Sequence, residues 1–463
     1  MTEVTYPVLT SYTPKNFDAS TLPGYNKRHH WKYLWVVHTL LLTHLRTKSK
    51  FDSPVSLNSE ILKKLFGNKY YTMILNSLRG GGIIKRYNYR PGEHSFRYKL
   101  NKSALLNGIE RIEVERSTIR RKIFMYRDQA LRDVLRDPVK QHEFQNLTTI
   151  EIDVNQAVEY VNANYVKGTP KHIARMVSIY EVDKLKDTTL ANDITLLDWM
   201  FKIDRSGRWH TPISHLAKDL RQFLRTFDGQ RFMEIDQACS QLTYCHKYLL
   251  ERQIGKTSKM HHIGEEEERG EGKEERLTNK QKEKENFSLD SLRGGVTFPS
   301  YVVQIDTTWR EAIFEGRAYK LLMEGLQFKG SRDEFKERFF AELFYNRYQD
   351  KLTYMEKAFK HYFPNEFKRL RLTKRALGNK ELAVQVQRYE SAFWHRWVGS
   401  GMREEFRTIG FATIHDSVLV PEAQADQVKQ MIIERAVKFF NPNDTDQPLV
   451  PTFRIKRHDE TTN

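Results

Sequence analysis

Two aspartates far apart in the chain each follow a short apolar run. Asp236 lies in FMEIDQACSQ (232–241), where a strand pattern gives way to a polar turn and then a helical pattern. Asp416 lies in FATIHDSVLVP (411–421), which has the pattern of a β-hairpin with a carboxylate at its tight turn. One such carboxylate is usually structural, but two on neighbouring strand ends can bridge two Mg²⁺ ions roughly 3.5–4 Å apart. Such a pair is typical of nucleotidyl transfer, with the backbone carbonyl of Ile235 or Gln237 as a further oxygen ligand.

A second group of residues recurs at intervals of four. Arg332, Lys336, Phe340 and Phe344 fall within GSRDEFKERFFAELFYNR (330–347), and such steps place side chains on one face of an α-helix. Two cations and two aromatic rings on one face could hold a triphosphate and stack on its base. The alternative is an ordinary amphipathic helix with its phenylalanines in the core, which the spacing by itself favours.

The overall charge indicates a polyanionic partner. The 463 residues carry 76 Lys and Arg against 59 Asp and Glu, a net charge of +17, and this balance favours nucleic acid over an anionic membrane. The two cysteines are too few for a disulfide framework or a cysteine-based zinc site. No signal-peptide pattern or membrane-length apolar run is present, so we expect a soluble cytoplasmic protein. The length of 463 residues suggests two or three domains.

Residues 28–101 have the pattern of a winged helix. Helices are predicted at 31–45, 59–66 and 70–78, followed by strands at 83–88 and 95–100 with a turn at 90–93. The residues predicted to contact nucleic acid are Lys64, Lys69, Lys85, Arg86, Arg90 and Arg97. A protein-docking role for this domain is the alternative.

The order of the chemical segments resembles the palm and fingers of family A DNA polymerases and of single-subunit phage and mitochondrial RNA polymerases. The resemblance covers 204–245 and 300–440, with residues 236–241 as motif A, 332–344 as motif B and 414–417 as motif C. Upstream, Ser206-Gly207-Arg208 resembles the Thr-Gly-Arg element of the DNA polymerases. No motif is specific alone; their order carries the resemblance.

This resemblance implies a role for each matching residue. The implied metal ligands, for two Mg²⁺ ions that Mn²⁺ is expected to replace, are Asp236, Asp416 and Gln237. The residues implied to bind the nucleotide are Arg332, Lys336, Phe340, Phe344 and Gln241. Lys336 would also protonate the leaving pyrophosphate. The residues implied to contact primer or template are His415, Arg208 and Tyr345.

Two departures leave the choice of sugar open. Motif B normally ends in Tyr-Gly, whereas this chain has Phe344-Tyr345, so the hydroxyl that the RNA polymerases use to select ribose is absent. The DNA polymerases have a Glu five residues after the motif A Asp, where this chain has Gln241. Since Gln241 is as bulky as Glu, the sequence favours DNA synthesis narrowly. No acidic pattern of a proofreading exonuclease is found upstream.

The predicted fold class is α+β, a winged helix followed by a right-hand polymerase core with an antiparallel palm sheet and helical fingers. The predicted regions are 1–105 (winged helix), 106–200 (helical connector or thumb-like region), 201–255 (first palm part), 256–295 (disordered charged insertion), 296–400 (fingers) and 401–463 (second palm part). Within them, 110–145 and 150–200 are predicted to be helical, and 301–306 is predicted to be a strand or an extended segment.

The predicted function is therefore template-directed polymerisation, with a phage or mobile-element DNA polymerase ahead of a single-subunit RNA polymerase or primase. The expected partners are a DNA template with or without a primer, nucleoside triphosphates, and accessory replication or transcription proteins, but no membrane. Two other hypotheses stay open. One is a non-catalytic replication initiator or regulator, and the other is a metal-dependent nuclease, which would not need the face formed by Arg332 to Phe344.

Overall fold

A computed structural model shows a mixture of helices and strands, in agreement with the predicted α+β class. The residues that the structure describes are 9–46, 53–57, 59–88, 96–114, 122, 136–185, 202–253, 308–441 and 448–458. The chain forms two compact units. The first comprises Met1–Ala238 and Gln387–Asn463, and the second comprises Cys239–Val386.

The N-terminal part of the first unit combines helices with two small sheets. Its elements in chain order are β1 (Leu9–Pro14), α1 (His30–Arg46), β2 (Val55–Ser56), α2 (Ser59–Phe66), α3 (Asn68–Gly80), β3 (Ile84–Tyr87), β4 (Arg97–Leu100), α4 (Lys102–Leu105) and β5 (Ile109–Val114). One sheet has the order β2-β4-β3, and the other is the antiparallel pair β1-β5.

Apolar periodicity explains why these helices form and how they pack. α1 buries Val36 and Leu40 completely, and α2 buries Leu62 and Leu65 while its lysines face outward. α3 ends at consecutive glycines, and Gly82 takes a φ of +70°, a left-handed conformation that disfavours a side chain. The helices predicted at 31–45, 59–66 and 70–78 are confirmed, with shifted ends in α1 and α3.

A second run of elements leads to the central strand of the largest sheet. In chain order these are α5 (Pro138–Leu147), β6 (Ile150–Ile152), α6 (Val154–Asn164), α7 (Pro170–Asp183), β7 (Lys202–Ile203), β8 (Trp209–His210), α8 (Pro212–His215), β9 (Leu224–Thr226) and β10 (Phe232–Gln237). Side-chain caps fix the helix starts: Asp137, Asp153 and Thr169 each accept a hydrogen bond from a backbone N–H in the first turn.

The described part of the second unit is helical. Its helices are α9 (Ser240–Gln253), α10 (Trp309–Phe314), α11 (Ala318–Gly325), α12 (Arg332–Phe339), α13 (Tyr354–Tyr362), α14 (Pro364–Leu377) and α15 (Asn379–Ser391), whose last residues belong to the first unit. Thr308, Ser331 and Thr353 begin α10, α12 and α13 with capping boxes, each paired with a Glu three residues later. Helices were predicted in the 296–400 region, and helices are found there from Trp309 onward.

The first unit is completed by the C-terminal part of the chain. Its elements are a π-helix (Ala392–Val398), α16 (Gly399–Glu405), β11 (Ala412–Ile414), β12 (Ser417–Pro421), α17 (Ala425–Phe440) and β13 (Phe453–Lys456). The sheet has the order β11-β12-β10-β13 and every pairing is antiparallel. Ile235, Val418 and Leu419 are completely buried in its core. The expected small antiparallel sheet containing both Asp segments is therefore present.

Two predicted helical regions need correction, and other sequence predictions lie outside the described residues. The helix predicted over 110–145 is wrong at its start, because Ile109–Val114 pair with β1 as a strand, and 150–200 likewise begins with the strand β6. The predicted insertion 256–295, the strand 301–306 and Arg90 lie outside the described residues. The boundaries of the six predicted regions stay a prediction, because the division into two compact units does not test them. None of the helices in the described ranges is long and apolar enough to cross a membrane.

Candidate active site

Asp236 and Asp416 lie at adjoining ends of two neighbouring strands. β10 and β12 are antiparallel, with Asp236 opposite Ser417, so that Asp416 immediately precedes the residue facing Asp236. The backbone N–H of Gln237 donates a hydrogen bond of 3.2 Å to the carbonyl oxygen of Asp416. The two carboxylates, 180 residues apart in the sequence, are thereby anchored on directly hydrogen-bonded backbone.

A two-residue turn presents Asp416. Ile414 pairs with Ser417, which leaves His415 and Asp416 as the central residues of the β11–β12 hairpin. His415 has a φ of +50°, a strained value for a side chain of this size that hairpins use to match strand twist. The predicted hairpin with a carboxylate at its turn is confirmed.

A third carboxylate, Glu390, lies close enough to Asp416 to affect its pKa. It is fully buried near the end of α15, and Nε of Arg208 donates to it a hydrogen bond of 2.9 Å, with a second contact from Nη2 of the same guanidinium. Arg208 lies in the turn between β7 and β8. Asp204 fixes that turn by accepting hydrogen bonds from the backbone N–H groups of Ser206 and Arg208. Arg208, which was predicted to contact primer or template, is thus the ion-pair partner of a buried carboxylate. The sequence did not identify that carboxylate.

The electrostatics of the site show an excess of negative charge. Burial, followed by the charges of Glu390 and Asp236, raises the pKa of Asp416 to about 7, while the charge of Arg208 opposes this shift. A cation bound beside Asp416 would stabilise the ionised form of its carboxyl group. In the described ranges no three His, Cys, Asp or Glu side chains are arranged to hold an ion. Two carboxylates, those of Asp236 and Asp416, would suit Mg²⁺ if phosphates and water completed its shell.

Asp236 has a basic partner that the sequence did not suggest. The ammonium group of Lys456, on the edge strand β13, forms an ion pair with the Asp236 carboxylate. The two residues are 220 positions apart, and β13 reaches β10 only through the sheet register, with Arg454 opposite Asp236. No local pattern in the chain marks Lys456.

Glu234 anchors the strands that carry the site. Its side chain accepts hydrogen bonds from Arg221 Nη1 at 2.8 Å and from Ser417 Oγ at 2.7 Å, and it lies 3.1 Å from His458 Nε2. Burial by itself would raise the pKa of Glu234, but His458, Arg221 and Ser417 together hold it well below its ordinary value. This buried cluster ties β10, β12 and the chain just after β13 together.

His415 faces other histidines. Its ring centroid lies 5.6 Å from that of His210, whose Nε2 is 2.9 Å from Asp204. Burial, followed by the charge of Arg208 and the neighbouring histidines, lowers the pKa of His415 to about 4. His415 is therefore neutral at physiological pH and can serve as a hydrogen-bond partner rather than as a cation.

In the second unit, the predicted four-residue face is only partly present. α12 carries Arg332 and Lys336, whose cationic groups lie 5.9 and 5.2 Å from the ring centroid of Tyr319. The helix then changes to a π-helix at Phe340–Phe344, so the prediction of one continuous α-helical face is wrong. The extra residue in the π turn rotates the side chains beyond it, and Phe344 becomes buried against Phe339 and Phe340.

The remaining predicted residues are distributed over both units. Gln241 is a partly buried residue in the first turn of α9, and Tyr345 is 46% exposed after the π-helix. The predicted nucleic-acid contacts that are exposed in the N-terminal part are Lys64, Lys69, Lys85 and Arg86, with Arg97 partly buried. Within the first unit the structure brings together Asp236, Asp416, Gln237, His415 and Arg208.

Comparisons with known proteins add little. No protein-family model matches the chain, and no curated protein matches it. Among solved structures it is similar to the POL domain of Pol1 from M. smegmatis, in a complex with DNA primer-template and dNTP, at 13% identity and a TM-score of 0.27. The match covers 66% of this chain and 55% of that one, so the chain spans about half the length of that protein. A likeness of this degree carries no argument about fold or function.

Proposed function

We propose that the chain is a template-directed nucleic-acid polymerase that uses two Mg²⁺ ions bound at Asp236 and Asp416. The observation that supports this most directly is the placement of both carboxylates at adjoining strand ends of one antiparallel sheet. The raised pKa of Asp416 adds support, because it reports uncompensated negative charge that a bound cation would relieve.

Each residue of the site has a defined task in this proposal. When bound, the metal ions would lower the pKa of the attacking 3′-hydroxyl and neutralise the leaving pyrophosphate. Asp236 and Asp416 would hold them, with the Gln237 carbonyl as the further protein ligand. Neutral His415 would accept or donate a hydrogen bond at the primer end. Arg208, fixed by Glu390, keeps a positive charge beside Asp416 and orients the turn that faces the template-primer.

The residues of α12 would bind the incoming nucleotide. Arg332 and Lys336 lie near one tyrosine ring, so their cationic groups share one side of the helix, as binding of a triphosphate requires. Lys336 is the proposed proton donor to pyrophosphate. Phe340 keeps partial exposure and is the candidate for stacking on the base, whereas the burial of Phe344 favours a packing role.

The N-terminal part would bind nucleic acid as a winged helix. The element order α1-β2-α2-α3-β3-β4 and the sheet order β2-β4-β3 support this proposal. Lys69 lies on the exposed side of α3, and Lys85 and Arg86 are exposed on β3. Binding should weaken steeply with added salt, because each neutralised phosphate releases counterions.

Extension of a labelled primer on a DNA template with Mg²⁺ tests the proposal. Parallel reactions contain dNTPs, NTPs or no primer, which separates a DNA polymerase from an RNA polymerase or primase. Gln241 and the absence of the motif B tyrosine hydroxyl favour dNTP use. Asp416→Ala should abolish extension, whereas Asp426→Ala, which removes an exposed carboxylate from α17 in the same unit, should leave it unchanged.

Two further outcomes would redirect the assignment. No product under any condition, with tight nucleic-acid binding retained, would indicate an initiator or regulator. Metal-dependent cleavage of nucleic acid that persists in Lys336→Ala would indicate a nuclease, since a nuclease has no need of a triphosphate-binding face.

A further inference from the structure

Lys456 pairs with Asp236 and not with the carboxylate directly opposite it in the sheet. β13 pairs with β10 so that Lys456 is directly opposite Glu234, while Asp236 is its diagonal neighbour on the same face of the sheet. The nearer carboxylate is already engaged, because Glu234 is bonded to Arg221 and Ser417 and lies beside His458. The Lys456 ammonium therefore reaches along the strand to Asp236.

Arg208 and Lys456, the basic partners of the site's carboxylates, are held in different ways. The side chain of Glu390 is 1% exposed and that of Arg208 is 15% exposed, and the guanidinium makes two contacts with the carboxylate. The side chain of Lys456 is 37% exposed and that of Asp236 is 22% exposed, and the ammonium is a single point charge on a flexible stem. Separating Arg208 from Glu390 would leave a buried charge unpaired, whereas Lys456 can move into solvent at little cost.

We propose that Lys456 is an internal counter-ion for Asp236 that occupies this carboxylate before metal binds and is displaced when Asp236 becomes a metal ligand. This inference rests on the proposed two-aspartate metal site. Lys456 is a positioning residue in this scheme. Its ammonium keeps the Asp236 carboxylate in place in the metal-free protein. The same contact competes with the cation and so weakens metal binding.

The competition predicts the effect of removing the charge. Lys456→Met keeps the length and apolar stem of the side chain but deletes the ammonium, so a divalent cation no longer has to displace it. We expect Mn²⁺ to bind about five-fold more tightly, the factor that corresponds to roughly 1 kcal/mol for a partly exposed ion pair. Lys456→Arg keeps the charge and should bind Mn²⁺ with the affinity of the natural chain.

The measurement is titration of the full chain with Mn²⁺, in the absence of nucleotide and nucleic acid, following free Mn²⁺ by electron paramagnetic resonance. Lys456→Gln is a second neutral variant in case the methionine variant folds poorly, and circular dichroism verifies the fold of each. Lys438→Met is the matched control, since it removes one exposed positive charge from α17 in the same unit.

Tighter binding in both neutral variants, with the arginine variant and the Lys438 control unchanged, supports the proposal. Unchanged or weaker binding in the neutral variants overturns it, and so does equal tightening in the Lys438 control, which would show a general charge effect. Asp236→Asn distinguishes a failure of the Lys456 proposal from a failure of the proposed metal site. If it binds Mn²⁺ as the natural chain does, the aspartate metal site itself is wrong, and the role of Lys456 falls with it.

Discussion

Removing Arg208 should destabilise the protein strongly, because it leaves the buried Glu390 carboxylate without its charged partner. The side chain of Glu390 is 1% exposed and receives two contacts from the guanidinium. Breaking such a pair from one side costs about 3–5 kcal/mol, because the remaining charge stays buried and uncompensated. We therefore expect Arg208→Met to lower the free energy of unfolding by roughly 3 kcal/mol, allowing some relief from the partial exposure of the arginine.

The double variant Arg208→Met with Glu390→Met tests the cause. It removes the unpaired charge, so most of the lost stability should return even though two polar residues have become apolar. The assay is urea unfolding in EDTA, followed by tryptophan fluorescence. Arg435→Met is the control, since its pairs with Glu404 and Glu405 are exposed and should contribute under about 1 kcal/mol. A double variant no more stable than Arg208→Met would refute the reasoning.

Two further predictions concern other buried charges. The folded pKa of Asp416, about 7, exceeds the unfolded value, so its contribution to stability is present below about pH 4 and is lost as the pH rises through 7. In EDTA, Asp416→Asn should therefore be similar in stability to the natural chain at pH 4 and more stable by about 4 kcal/mol at pH 8, since each unit of pKa shift corresponds to about 1.4 kcal/mol. An equal difference at both pH values in thermal unfolding would contradict this. In the second unit, Lys374 is 1% exposed, donates to the Leu343 carbonyl at 2.9 Å and lies 3.9 Å from buried Glu356. Lys374→Met should cost about 2 kcal/mol in urea unfolding, because the Leu343 carbonyl loses its donor while Glu356 keeps Arg371 at 3.5 Å. Exposed Lys380→Met should cost under about 0.5 kcal/mol, and similar losses in both would count against a buried anchoring role.

Local patterns were sufficient where one segment determines its own structure. The hairpin that carries Asp416, the strand that carries Asp236 and helix α2 were all predictable, because alternation and four-residue periodicity act within a few residues. The charged segment at 109–114 was not, since residues IERIEV fit either a helix or a strand, and pairing with β1 decided between them. The π-helix at Phe340–Phe344 was also missed, because one extra residue per turn leaves no mark in the side-chain pattern.

The sequence by itself determined that two carboxylates stand at strand ends, that a helix carrying Arg332 and Lys336 lies between them along the chain, and that the protein is strongly basic. Tertiary structure alone decided the surroundings of those carboxylates. Glu390 meets Arg208 across 182 residues and Lys456 meets Asp236 across 220, through sheet register and helix packing that no local pattern specifies. The physical reason is that the electrostatic environment of a carboxylate depends on every charged group that the fold brings near it. Sequence periodicity, in contrast, reports only which face of one helix or strand is apolar.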